Sequence, residues 1–118
     1  MSNLKNVLIH KKICKSVWFM RQAGRYLPEF RKIRETNPDF IELCLNSKLS
    51  SDITLQPINR FDLDSAIIFS DILMVPFALG QKVQFIKNQG PSLSDFNLTS
   101  FLDNDKISFT QKLHPVYK

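Results

Sequence analysis

The sequence is poor in the residues that mark secreted, metal-binding or membrane-spanning chains. Only two of its 118 residues are cysteines, Cys14 and Cys44. They make neither a zinc spacing nor a disulfide framework, and two reduced, buried thiols are the expectation. The longest apolar runs, such as Ala66 to Phe69, fall far short of the roughly 20 residues that cross a bilayer. The start lacks the order of an export signal: an apolar stretch precedes Lys11 and Lys12, where a signal would put charge first. These absences make a cytoplasmic protein with no membrane partner the expectation. There are two histidines, His10 and His114; neither stands in a metal or catalytic motif, and both are expected at the surface. Repeats and low-complexity tracts are absent too.

What is present is ordinary for a folded protein: 43% hydrophobic and 23% charged residues, a balance that excludes disorder for most of the chain. The length bounds it to one domain or part of one. The net charge of +5 permits an anionic partner without naming one. Arginine placement says more. Of five arginines, four are Arg21, Arg25, Arg31 and Arg34. Guanidinium is a rigid planar fork suited to two-oxygen partners, so such a cluster points to a carboxylate or phosphate site, or else to a solvated helix face.

The pattern along the chain predicts a short amphipathic helix or an arm over 1–12 and a strand over 16–20, where Val17, Trp18 and Phe19 form a continuous apolar run. Helices follow at 28–35, opened by Pro28, at 38–45, and at 49–61, bent by Pro57. A second apolar strand is predicted over 65–69, then Ser70 and Asp71. Strand, helices, strand is the pattern of a βαβ unit. A short strand over 83–86 with a turn at 87–91, a helix over 95–102 and the opening of an unfinished helix at the end complete the reading. Ligands of parallel α/β folds sit at the carboxyl ends of strands. Arg21 and Arg25 would there meet Asp71, as a structural salt bridge or as a catalytic pair.

The run Trp18-Phe19-Met20-Arg21-Gln22-Ala23-Gly24-Arg25-Tyr26-Leu27-Pro28-Glu29-Phe30-Arg31 resembles the signature of the uroporphyrinogen decarboxylase family. So does Ala66-Ile67-Ile68-Phe69-Ser70-Asp71-Ile72-Leu73, with Val75-Pro76 and Ala78-Leu79-Gly80 after it. Thr54-Leu55-Gln56-Pro57, Arg60-Phe61, Leu63-Asp64 and Gly90-Pro91 are similar as well. The resemblance runs from about residue 3 to the end. It implies an α/β fold of the (β/α)8 TIM-barrel type, of which residues 1–118 form the amino-terminal fragment. It implies a homodimer acting without cofactor or metal on a tetrapyrrole, uroporphyrinogen, as a carboxy-lyase of haem biosynthesis. Arg21 and Arg25 look like the arginines that hold the substrate's carboxylates, with Gln22, Ala23 and Gly24 the loop whose backbone approaches it. Arg34 looks like a further basic contact. Asp71 looks like the aspartate that hydrogen-bonds to the pyrrole N–H groups.

The sequence departs from the family at Phe77, where relatives often carry a polar residue, and in length, since a barrel takes about 250 residues. The family's tyrosine, its serine or threonine and its histidine would lie beyond Lys118, so the chain alone is expected to be inactive, the product of a truncated or split gene. Two other classes are open. One is a corrinoid-linked methyltransferase of the same superfamily, which as a rule lacks the Arg21–Tyr26 run. The other is a basic nucleic-acid module, which the charge permits; arginines beside an apolar strand, not along an exposed face, speak for no nucleic acid.

Overall fold

In the computed structural model, residues 3–86, 89–103 and 105–117 are described. The chain forms two compact units, one of Met1–Thr36 and Lys48–Phe69, the other of Asn37–Ser47 and Ser70–Lys118.

The first unit is built on three helices: α1 (Asn3–His10), α2 (Pro28–Thr36) and α4 (Ser47–Phe61), the last beginning at the junction of the two units. Proline opens α2, where the missing N–H costs nothing, and Glu29 places negative charge in its first turn. Pro57 lies inside α4 and is buried; its ring forgoes the bond to the Ile53 carbonyl that a helix would otherwise make. Leu27, Phe30, Ile53 and Leu63 form the apolar core, with Ile53 fully buried. The Phe30 and Phe69 rings meet edge to face at 5.7 Å, a favoured aromatic geometry. Helix α4 ends on Asp62, whose φ of 50° lies in the left-handed region.

The two predicted apolar strands, 16–20 and 65–69, are not strands of any sheet among the described residues. They carry strand chemistry, but no backbone ladder joins them. One backbone bond runs from the N–H of Asp64, just before the second segment, to the Val17 carbonyl at 3.2 Å. Side chains take several of the other backbone groups. The Asp64 carboxylate accepts from Val17 N–H (2.8 Å) and from Asn3 N–H (3.1 Å). The βαβ reading is corrected accordingly: among the described residues 16–20 and 65–69 form no sheet, and side chains bond to the backbone at Val17, Ser65, Ile67 and Phe69.

The second unit holds α3 (Phe40–Leu45), α5 (Met74–Ala78), α6 (Leu98–Leu102), α7 (Lys106–Leu113) and a 3-10 turn, His114–Tyr117. Its sheet is one antiparallel hairpin of β1 (Val83–Ile86) and β2 (Gly90–Leu93), with Phe85 opposite Pro91. Proline is tolerated there because a two-stranded sheet has only edges. Helix α5 closes on Gly80 (φ 91°) with two reverse bonds, Gly80 N–H to Phe77 O and Gln81 N–H to Pro76 O. That closure needs positive φ, which glycine supplies without strain. Asp39 caps α3 through Glu42 N–H and Asp105 caps α7 through Ser108 N–H. Leu43, Cys44, Met74, Ala78 and Leu113 are the buried core. Cys44 meets the expectation of a buried thiol; Cys14 is only half-buried, its thiol donating to the Asn3 carbonyl of α1 at 3.2 Å.

The predicted helices over 1–12, 28–35, 38–45 and 49–61 are present within a few residues. That over 95–102 shortens to α6. The terminal helix is finished rather than interrupted: α7 stops at Leu113, and Pro115 follows within the 3-10 turn. The predicted turn at 87–91 loses Gly90 and Pro91 to β2, and Lys87 and Asn88 lie outside the described residues. His10 and His114 are exposed, as expected. Among the described residues no helix is long and apolar enough to cross a membrane.

Candidate functional site

The loop between segment 16–20 and α2 carries Arg21, Gln22, Ala23, Gly24 and Arg25. Its braces come from several directions. The Gln22 side chain, only 4% exposed, donates from Nε2 to the Ser65 carbonyl (2.9 Å) and accepts at Oε1 from Ile67 N–H (2.8 Å). The Tyr26 hydroxyl donates to the Gln22 carbonyl. Arg31, one turn into α2, donates from Nη1 to the carbonyls of Arg25 (2.8 Å) and Tyr26 (3.3 Å). Leu27 N–H closes the turn on Gly24 O at 3.0 Å.

What this bracing leaves unused defines the site. Arg21 and Arg25 are exposed. The N–H groups of Ala23, Gly24 and Arg25 reach no acceptor among the described residues. Two guanidinium forks and three backbone donors on a fixed loop can receive carboxylates, since charge-assisted bonds to preset donors lose little to ordering. A cavity of about 540 Å³ opens beside the loop, walled by Val17, Phe19, Tyr26, Phe61 and Leu63, with Arg21 and Gln22 in its lining. The Tyr26 and Phe61 rings stack with centroids 6.4 Å apart. The cavity thus offers aromatic and aliphatic walls and one cationic group.

The other predicted site residues stand on other elements. Arg34 stands in the last turn of α2, half-buried. Asp71 belongs to the second unit. Its Oδ1 accepts from Leu73 N–H at 2.8 Å and its carbonyl from Met74 N–H at 3.0 Å, so it starts the turn into α5. Arg60 and Glu29 form an ion pair through two parallel bonds of 2.9 Å each. The Arg60 guanidinium holds the Glu29 carboxyl below its ordinary value of 4.5, mainly by hydrogen bonding, and Glu29 in turn raises Arg60. Among the described residues no three His, Cys, Asp or Glu side chains gather to hold a metal ion.

Three supporting residues escaped the sequence reading. Arg31 stood in the arginine cluster with nothing to mark it as a brace. Ser50 and Thr54 carry the end of segment 65–69: Ser50 Oγ donates to Phe69 O, and Thr54 Oγ1 accepts from Phe69 N–H at 2.8 Å. Their spacing of four along α4, one face of the helix, was the signal that could have found them.

The family model described as uroporphyrinogen decarboxylase matches residues 9–118. A uroporphyrinogen decarboxylase of Rickettsia rickettsii is 48% identical over 102 residues, 86% of this chain and 30% of the relative. That of Caulobacter vibrioides is 57% identical over 79 residues, 67% of this chain and 22% of the relative. That of Acidiphilium cryptum is 50% identical over 101 residues, 85% of this chain and 28% of the relative. The chain therefore spans less than a third of the length of the curated relatives it matches, yet nearly all of it lies within the match. By that measure the chain belongs to the uroporphyrinogen decarboxylase family.

Proposed function

We propose that residues 1–118 form the amino-terminal part of a (β/α)8-barrel uroporphyrinogen decarboxylase, a cytoplasmic homodimer that works without cofactor, metal, nucleic acid or membrane. The observation that carries the reading is the braced loop: its internal bonds leave Arg21, Arg25 and three N–H groups open beside an apolar cavity. A substrate that is at once a large ring and a bearer of many carboxylates needs that combination.

The roles follow from the chemistry. Arg21 and Arg25 take substrate carboxylates in forked geometry, Ala23 and Gly24 offer backbone donors, and Arg34 adds positive charge. Decarboxylation leaves an electron pair that must go somewhere. Protonation of a pyrrole ring carbon makes the ring a cation. The breaking C–C bond then delivers its electrons into that ring, carbon dioxide leaves, and a proton added at the former CH2 carbon completes the methyl group as the ring gives its extra proton back. Asp71 stabilises the cationic ring as a fixed negative charge. At about 4 Å and an effective dielectric near 20, such a pairing is worth on the order of 4 kcal/mol before desolvation.

Asp71→Asn tests this cleanly. Asparagine keeps an oxygen for Leu73 N–H, so the turn into α5 survives, while the charge is lost. In a full-length enzyme carrying this segment, turnover of uroporphyrinogen is followed as coproporphyrin fluorescence after oxidation. Asp71→Asn is expected to cut kcat far more than Lys48→Ala, an exposed control. A near-normal rate for Asp71→Asn would remove the aspartate from the mechanism.

A further inference from the structure

Gln22 is one of two buried polar residues among those described, at 4% exposure, the other being Ser50. Its side-chain amide is bonded through both its nitrogen and its oxygen inside the molecule. One amide donor goes to Ser65 O (2.9 Å) and the amide oxygen takes Ile67 N–H (2.8 Å). In an extended segment the backbone groups of residues i and i+2 face one edge. Gln22 thus fills the place a neighbouring strand would fill at Ser65 and Ile67. Two residues further along the same edge, Thr54 and Ser50 take both backbone groups of Phe69.

The loop's own backbone is tied to the same residue, because Tyr26 hydroxyl bonds to the Gln22 carbonyl. Arg21 precedes Gln22 directly and Arg25 follows three residues later. A shift of the Gln22 amide would therefore move both guanidiniums and the donors at Ala23 and Gly24.

We propose that Gln22 is a positioning residue: its side-chain amide fixes the Arg21–Arg25 loop in register with the extended segment 65–69 and thereby sets the geometry in which carboxylates are received. This rests on the decarboxylase reading for its effect on turnover, though not for the tether itself.

The experiment uses a full-length enzyme carrying this segment and two variants. Gln22→Met fills the same space and removes both bonds. Gln22→Glu keeps the oxygen for Ile67 N–H but turns a second oxygen toward the Ser65 carbonyl, where a donor stood. Hydrogen exchange of the Ile67 amide reads the tether, and the split between KM and kcat reads the positioning. In Gln22→Met the Ile67 amide should exchange about tenfold faster, the loss of one buried bond, and KM should rise at least tenfold with kcat falling much less. Gln22→Glu should retain more Ile67 protection than Gln22→Met and still raise KM. Unchanged Ile67 exchange in Gln22→Met would overturn the tether. Faster exchange with unchanged KM in both variants would overturn the positioning role. A wild-type enzyme that turns over no uroporphyrinogen would sink the decarboxylase reading alone, with the exchange arm still deciding the tether.

Discussion

A Cβ built on Gly24 would meet the Tyr26 ring at 3.6 Å, ordinary van der Waals contact, and its φ is outside the left-handed region. The fold of the chain itself therefore does not demand glycine there, in contrast to Gly80. If something must come close to this backbone, it is the ligand. Gly24→Ala is then expected to leave thermal stability unchanged or raise it by up to about 1 kcal/mol, by restricting the unfolded chain, while raising KM in the full-length enzyme. A lowered melting midpoint would mean that the fold, not the ligand, requires the glycine. An unchanged KM would mean that nothing approaches the loop there. Arginine shows how far sequence reaches at this scale. The cluster of Arg21, Arg25, Arg31 and Arg34 was legible as a feature, and its division into exposed forks and a brace was not. Arg21 and Arg31 are the same residue, told apart only by whether backbone carbonyls lie within their reach.

Elements were legible where local forces dominate. Helices with a proline start or an aspartate cap stand close to their predicted bounds, because propensity and capping act within one turn. The extended segments 16–20 and 65–69 were read correctly as apolar and wrongly as sheet, since a ladder is a property of two segments and no local pattern reports whether the partner's backbone or a side chain takes the bonds. Helix α5 was missed for a related reason: at five residues it is too short to show a period. Between α2 and α4 the tie is Glu29 with Arg60. The pair is exposed, so its worth is modest and screened by salt. Its sign is definite. Arg60 lowers the Glu29 pKa in the folded state, so the contribution is present above the carboxyl's ordinary value and is lost as pH falls through the lowered one. Glu29→Gln should therefore narrow the stability difference from wild type as a titration goes down into that acid range, most visibly at low ionic strength. A difference that stays constant on acidification would show that the Glu29 charge contributes nothing to the fold.

At the scale of the whole molecule the question is what covers the apolar surface. Val17 and Phe19 line the cavity, and Trp18 and Met20 are not part of its lining. All of this run is open, with Trp18 at 53%, Phe19 at 61% and Met20 at 80% exposure. Segment 65–69 continues the pattern with Ile68 at 68% exposure, and beyond it Ile72 stands at 86% in the second unit. Continuous apolar runs belong to strands covered on both faces, and among the described residues that cover is missing. Exposed apolar groups of this number drive association and bind hydrophobic dyes. The 118-residue chain by itself is therefore expected to turn over no uroporphyrinogen above a heat-killed control. At micromolar concentration it should run as a range of assemblies in size-exclusion chromatography with light scattering. It should enhance the fluorescence of an anilinonaphthalene sulfonate dye, and the emission of Trp18, the single tryptophan, should be readily quenched by acrylamide. In a full-length enzyme carrying the same residues, dye binding and quenching should both fall, because the remainder of the barrel would bury Trp18 and Ile68. A monomeric 118-residue chain with dispersed, sharp amide signals and no dye binding would show that these residues are covered some other way. The reading of the segment as part of a larger barrel would then have lost its physical ground, whatever its sequence resembles.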